Sequence, residues 1–179
     1  MVKLNAKQLR STQSSAISHQ IKKQEIYIVL DNVLDTYNIG SIFRLADAVA
    51  AKKIYLCGKT ETPPNPRIKK ASINTTEWVE WEYFADAKTA ISNLKLKISN
   101  LQVVAVEQSK KSVPYDKFEY KLPVCLIVGN ETYGVSKEVL DICDGIVEIP
   151  MFGVNISLNV MVSLGIVLYQ VIEDIKFHK

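Results

Sequence analysis

Short apolar runs rich in β-branched residues recur along this sequence, and stretches with helical periodicity separate them. Such runs are typical of strands covered on both faces, and apolar residues three or four positions apart are typical of helices packed on one side. The predicted strands are residues 26–30, 53–58, 79–84, 102–106, 124–128 and 146–149, and the predicted helices are residues 38–51, 86–98, 137–142 and a last helix from Ser157. Strands that alternate with helices indicate an α/β fold with a mostly parallel sheet.

The composition predicts one folded domain with a polar extension before it. The chain has 179 residues, of which 47% are hydrophobic, which is enough for a single substantial core. We predict a basic tail over residues 1–24 and one domain over residues 25–179. The basic residues of the tail are Lys3, Lys7, Arg10, Lys22 and Lys23, with no acidic residue among them. Either a solvated extension or an arm that binds a polyanion has this composition.

Several other classes of protein are disfavoured by the sequence. The sequence has an odd number of cysteines, Cys57, Cys125 and Cys143, and they lack the spacing of a metal site or a redox pair. We therefore expect reduced structural thiols in a cytoplasmic protein, without a bound metal. The tail has no apolar segment of the kind found in secretory signals. The apolar run 158–172 is too short to span a membrane and contains polar residues, so we expect no membrane contact.

Three loops that follow predicted strands carry polar residues that core packing does not explain. These loops are residues 38–44, 128–134 and 149–160. Because open α/β sheets bind ligands at the carboxyl ends of their strands, the loops predict a ligand site. Neither G-x-G-x-x-G nor G-x-x-x-x-G-K-[ST] occurs in the sequence, which disfavours nicotinamide and nucleoside-triphosphate chemistry.

Simpler explanations exist for two of these loops when each is taken alone. Arg44 could be a surface side chain whose aliphatic stem covers apolar neighbours. Ser157 is a favoured residue at the start of a helix, so the last loop could lead into a capped core helix that tolerates Asn159. The three loops together favour a functional site.

In this order, the three loops resemble the sequence motifs of the SpoU/TrmH family of RNA ribose 2′-O-methyltransferases, within the SPOUT superfamily. The matching stretches are Asn38-x-Gly40-x-x-x-Arg44, Leu126-Ile127-Val128-Gly129-Asn130-Glu131 with Gly134, and Ile149-Pro150-Met151 with Ser157-Leu158-Asn159-Val160. The resemblance covers residues 27–172. It implies an α/β domain whose C-terminal part forms a trefoil knot, an exception to the rule that protein folds are unknotted.

The resemblance also implies a cofactor, S-adenosylmethionine, and roles for individual residues. Main-chain groups of Gly129, Ile149, Met151 and Leu158 would bind the cofactor. Arg44 and Asn38 would face the ribose and phosphate of the RNA, Asn130 and Glu131 would line the substrate side, and Ser157 and Asn159 would position the reacting groups. Because a guanidinium hardly ever loses its proton, we expect Arg44 to stabilise the forming alkoxide and an adjacent phosphate, with the proton acceptor left open.

The implied substrate is RNA, and a tRNA is favoured over rRNA. The sequence shows no separate N-terminal domain like that of the larger rRNA-modifying relatives, so we expect the tail and the cluster Arg67, Lys69 and Lys70 to contact the RNA. A noncatalytic RNA-binding dimer with the same fold is the alternative; a small-molecule methyltransferase is disfavoured by the basic tail.

The last helix predicts how the protein assembles. Relatives pair through this region, and residues 158–172 are apolar on nearly every side, so we expect a homodimer with Val167 or Leu168 in the contact. Met161 and Leu164 stand where relatives more often carry small residues, which affects the expected dimer geometry.

Overall fold

The computed structural model describes residues 21–177, so the predicted tail lies outside the described residues over positions 1–20. The strands are β1 (Gln24–Asp31), β2 (Ala51–Cys57), β3 (Trp81–Phe84), β4 (Gln102–Val106), β5 (Val113–Pro114), β6 (Val124–Gly129) and β7 (Gly145–Glu148). The helices are α1 (Thr36–Ala48), α2 (Pro66–Ser72), α3 (Ala87–Lys97), α4 (Lys137–Leu140) and α5 (Val160–Phe177), with a 3-10 helix at Thr75–Glu77.

The strands form one sheet in the order β3-β2-β1-β6-β4-β7-β5. Every pairing between these strands is parallel, which confirms the predicted α/β architecture. The two-residue strand β5 was not predicted, because its sequence Val113-Pro114 is too short to show a pattern. The carboxyl ends of β1 and β6 lie side by side, with Asp31 opposite Gly129, so the first two polar loops leave the sheet next to each other.

Helices cover both faces of the sheet, and this explains the nearly all-apolar strands. In β1, Ile26, Ile28 and Leu30 pack in the core on the α1 and α5 side. Tyr27 and Val29 point to the opposite core, on the α3 and α4 side. All five are buried, as expected for a central strand with a helical layer on each face.

The first helix starts and ends earlier than the predicted 38–51. Asp35 caps it by accepting hydrogen bonds from the amides of Tyr37 and Asn38, which places Asn38 inside the first turn. Gly40 lies against α2, where an added Cβ would be 2.6 Å from the Cβ of Ala71. The glycine of the first motif therefore permits close packing of two helices.

The last helix begins at Val160, so the prediction that Ser157 opens it was wrong. Asn159 is the capping residue, because its Oδ1 accepts hydrogen bonds from the amides of Met161 and Val162. The interior face of α5 is fully buried within this one chain: Leu164, Val167, Leu168 and Val171. Val167 and Leu168 are therefore core residues, and the prediction that they form the dimer contact was wrong. Among the residues of α5 whose side chains are described, the exposed apolar ones are Val162 and Tyr169.

The cysteines are buried or half-buried free thiols. Burial raises the pKa of Cys57 to about 12, which keeps this thiol protonated and unreactive at neutral pH. Within residues 21–177, no helix has both the length and the apolar character needed to cross a membrane.

Candidate active site

A cleft of about 500 Å³ opens at the carboxyl ends of β4, β6 and β7. The loop after β6 forms one wall, and residues 149–159, between β7 and α5, form another. Gly129, Ile149, Met151 and Leu158, the residues predicted to bind a cofactor, all line this cleft. The sheet therefore brings the second and third motifs together around one cavity.

A chain of hydrogen bonds joins one side chain from each motif at the edge of this cleft. Asn38 Nδ2 donates to Glu131 Oε1 at 3.1 Å, and Asn159 Nδ2 donates to Asn38 Oδ1 at 3.0 Å. Asn38, which is buried, is thereby fixed at both ends of its amide. The three motifs are far apart in sequence, and their polar side chains form one connected network.

Glu131 also holds the chain just before α1. Its two carboxylate oxygens accept hydrogen bonds from the amides of Leu34 and Asp35, each at 3.0 Å. Partial burial by itself raises the pKa of this carboxyl, but the donors Leu34, Asp35 and Asn38 outweigh that effect and hold its pKa below the ordinary value. The side chain is thus an anion that positions α1, and both oxygens are already engaged.

Asn159 and Ser157 differ in how firmly they are held. Asn159 caps α5 with its oxygen and reaches Asn38 with its nitrogen, so both ends of its amide have partners. Ser157 lines the cleft and is exposed, and its hydroxyl makes no hydrogen bond to another residue in the described part of the chain. Its hydroxyl is accordingly available to a ligand.

Arg44 lies outside the cleft lining, on the exposed side of α1. It stands between Gly40, which contacts α2, and Asp47, which accepts a hydrogen bond from Trp78 Nε1 at 2.7 Å. These positions share one side of the helix, so Arg44 lies beside α2 and the segment that follows it. Among residues 21–177 its guanidinium has no ion-pair or hydrogen-bond partner, which leaves the charge available for an anion.

The residues of the predicted basic cluster, Arg67, Lys69 and Lys70, differ in whether they form a salt bridge. Lys69 pairs with Glu77 at 3.3 Å. Arg67 and Lys70 are exposed, and neither forms a salt bridge with a residue that the structure describes. Two of the three charges are therefore accessible to a polyanion.

The loop of the second motif owes its shape to two glycines and an asparagine. Asn130 Oδ1 accepts from the amides of Thr132 and Tyr133, and its Nδ2 donates to the carbonyl of Asn32 at 2.9 Å. Gly129 packs so closely against the backbone of Gly134, whose φ is +69°, that a side chain at position 129 would collide with it. Asn130, which was predicted to line the substrate side, lines the cleft, and the polar atoms of its side chain have partners within the protein.

Two residues at the site were missed in the sequence, Glu107 and Gln108. They follow β4 and line the cleft. Glu107 Oε2 accepts from the amide of Val135 at 2.8 Å, and Gln108 Nε2 donates to the carbonyl of Ile156 at 2.6 Å. Their position at the carboxyl end of a predicted strand was the available signal, because ligand sites of parallel sheets lie there.

The geometry of the site supports the binding and positioning of a ligand. Within the described range 21–177, no three His, Cys, Asp or Glu side chains are grouped so as to hold a metal ion. The site combines a cleft of ligand size, an oriented amide and an available hydroxyl, and α1 carries a guanidinium without a partner among residues 21–177. Such a set can hold a cofactor beside an anionic substrate.

Comparison with known proteins identifies relatives with the same overall fold. In sequence, the chain is 34% identical over 153 residues to a tRNA (guanosine(18)-2′-O)-methyltransferase of Aquifex aeolicus, covering 83% of this chain and 69% of that protein. It is 26% identical over 152 residues to the enzyme of the same name from Escherichia coli K12, covering 83% of this chain and 63% of the relative. The chain thus spans about two thirds of these relatives.

Solved structures agree with this result. An A. aeolicus TrmH/SpoU tRNA modifying enzyme superimposes with a TM-score of 0.79 at 31% identity, covering 96% of this chain and 82% of that one. An AdoMet-bound rRNA methyltransferase from Sinorhizobium meliloti superimposes with a TM-score of 0.77 at 31% identity, covering 87% of this chain and 59% of that one. The model of the SpoU rRNA Methylase family matches residues 25–169. The chain belongs to the SpoU rRNA methylase family.

Proposed function

We propose that this protein is an S-adenosylmethionine-dependent RNA methyltransferase that methylates a ribose 2′-hydroxyl, with tRNA favoured over rRNA as substrate. The observation that carries the proposal is the hydrogen-bonded series Glu131–Asn38–Asn159, which joins the three family motifs at the edge of the cleft. Family membership and the tRNA-modifying relatives in A. aeolicus and E. coli support it. A tRNA substrate would place the reaction in the cytoplasm.

The cleft fits the proposed cofactor in size and in the chemistry of its walls. Its volume of about 500 Å³ is within the usual range for small-molecule sites. Within the described residues, the backbone of positions 150–158 makes a single hydrogen bond to another part of the chain, at the carbonyl of Ile156. Its other N–H and C=O groups are free to bind a ligand, as main-chain recognition by Met151 and Leu158 requires. When bound, S-adenosylmethionine supplies an electrophilic methyl group on a sulfonium.

The side chains around the cleft would prepare the RNA for this transfer. Arg44, an exposed cation on α1, would hold the phosphate beside the target ribose and stabilise negative charge on its 2′-oxygen. Asn38 fixes the start of the helix that carries Arg44, because Glu131 and Asn159 hold its amide. Glu131 would act by positioning, since a carboxyl with a lowered pKa is a weak base.

A homodimer is part of the proposal. The loop before α5 exposes Phe152, Val154 and Ile156 to solvent, and Val162 and Tyr169 are exposed on α5. Exposed apolar side chains of this kind are typical of protein interfaces, and a second copy of the chain is the occupant that family resemblance favours. The trefoil knot implied by that resemblance also belongs to this proposal.

Two measurements test the proposed function. Calorimetry should detect binding of S-adenosylmethionine and S-adenosylhomocysteine, and purified protein should transfer a labelled methyl group to unmodified tRNA. Mapping 2′-O-methylation in RNA from a strain without the gene should then identify the missing nucleotide. If RNA binds but neither cofactor binds and no methyl group is transferred, the protein is a noncatalytic RNA-binding protein and the proposal is wrong.

A further inference from the structure

The segment 150–158 closes one side of the cleft with little support from the rest of the protein. Residues 152–158 are all exposed, and the segment has no helix or strand. Within residues 21–177, one hydrogen bond attaches it to another part of the chain, from Gln108 Nε2 to the carbonyl oxygen of Ile156 at 2.6 Å. A segment with so few internal contacts depends strongly on any single attachment.

Gln108 is itself held in place at its backbone. Its amide donates to Glu107 Oε1 at 2.8 Å, while Glu107 Oε2 accepts from the amide of Val135, which directly follows Gly134 in the opposite wall of the cleft. The amide of Glu107 continues the sheet by donating to the carbonyl of Val147 at 2.9 Å. The pair Glu107-Gln108 thus connects the end of β4 to both loops that line the cleft.

We propose that Gln108 is a positioning residue that fastens the segment 150–158 across the cofactor cleft. This inference rests on the proposed function, because it assigns the segment a cofactor to hold. Ile156 is two residues before Leu158, whose main chain is expected to contact the cofactor. A fixed carbonyl at position 156 therefore sets the direction of the backbone groups that would recognise S-adenosylmethionine.

The role of Gln108 should be visible in cofactor affinity. A neutral hydrogen bond contributes modestly to stability, so Gln108→Ala should weaken S-adenosylhomocysteine binding by about threefold to tenfold. With Gln108→Glu, a carboxylate would face the Ile156 carbonyl without a proton to donate, and binding at pH 7.5 should weaken by more than about tenfold. In methyl transfer, both variants should raise KM for S-adenosylmethionine while kcat stays within about twofold of the wild type.

The pH dependence of Gln108→Glu separates positioning from a general structural effect. As the pH falls toward about 4.3, the ordinary pKa of glutamate, the introduced carboxyl gains a proton that it can donate to Ile156. The ratio of wild-type to Gln108→Glu affinity should therefore decrease between pH 7.5 and pH 5. Damage to the fold alone would not be relieved by protonation of residue 108.

Gln102, the first residue of β4, provides a matched control outside the cleft. Its side chain also bonds to backbone, donating to Glu119 at 3.0 Å and accepting from Lys121 at 2.9 Å. Gln102→Ala should bind S-adenosylhomocysteine like the wild type. If the wild type binds and Gln108→Ala binds equally well, the fastening role is refuted while the proposed function stands. If the wild type itself does not bind, the proposed function fails and this inference fails with it.

Discussion

Replacing Glu131 by glutamine tests whether this carboxylate holds the start of α1. Its oxygens accept hydrogen bonds from the amides of Leu34 and Asp35, each at 3.0 Å, and from Asn38 Nδ2 at 3.1 Å. Glutamine retains one accepting oxygen and turns an NH₂ group toward the remaining donors. Hydrogen bonds to charged groups contribute about 1.5–3 kcal/mol each, and less where solvent screens them, so we expect Glu131→Gln to lower the free energy of unfolding by about 2 kcal/mol.

The pH dependence follows from the lowered pKa of Glu131 in the folded protein. A carboxyl with a lower pKa in the folded state stabilises the protein fully above its unfolded pKa, about 4.3, and loses this contribution as the pH falls through the folded value. The stability difference between wild type and Glu131→Gln should therefore be constant from pH 7 to pH 5. Below about pH 4 it should shrink, because protonated Glu131 and glutamine are both neutral.

Urea unfolding, followed by circular dichroism at one fixed protein concentration, measures this difference. The fixed concentration matters because association contributes to the apparent stability. Glu173→Gln is the control, since Glu173 is exposed on α5 and its side chain has no salt bridge or hydrogen bond to another residue within 21–177. Equal unfolding midpoints for Glu131→Gln and wild type at pH 7, or a difference that persists unchanged at pH 3.5, would refute the reasoning.

Three further predictions concern catalysis, RNA binding and assembly. Arg44→Ala should abolish methyl transfer while S-adenosylmethionine affinity stays within about threefold of the wild type. Arg44→Lys should also lack activity, because a point charge does not reproduce a bidentate contact. Full activity in either variant would contradict this role, and Lys97→Ala on α3 is the control. Deleting residues 1–22 should weaken RNA binding and make the RNA affinity less dependent on salt, because fewer counterions are released on binding. If the slope of log affinity against log salt concentration is unchanged, the tail does not contact the RNA. Tyr169→Asp should convert dimers to monomers, as measured by light scattering, because it places a charge in an apolar contact. The control Leu96→Asp on α3 should leave assembly unchanged. A wild-type protein that is monomeric at micromolar concentration would contradict the proposed dimer.

The sequence was sufficient to predict six of the seven strands because their signal is local. A buried central strand must be apolar on both faces, and the run around Ile28 shows this directly. Helix boundaries were less accurate, because they depend on which polar side chain turns back to cap the backbone. Asp35 and Asn159 do so, whereas Ser157, an equally suitable residue by type, does not.

The composition of the site could be predicted, but its connections could not. Motif resemblance selected Asn38, Glu131 and Asn159, yet no pattern shows that these three side chains bond to each other across 93 and 121 positions of sequence. Burial was also misjudged for Val167, because an all-apolar helix looks the same whether its second face meets its own sheet or another chain. Gln108 was missed because a glutamine after a strand is unremarkable until its partner at Ile156 is known.

The close packing of α1 on α2 at Gly40 fixes the spacing of the two helices that are proposed to contact RNA. A Cβ at position 40 would lie 2.7 Å from the carbonyl oxygen of Ile68, so the two helices are in near contact and form one block. Arg44 on one helix and Arg67 and Lys70 on the other are therefore held at a set separation. If α2 binds one phosphate of the RNA backbone, as proposed, the ribose that reaches Arg44 would lie a fixed distance along the strand. The choice of nucleotide would then depend on the spacing of the RNA chain as well as on the identity of its base.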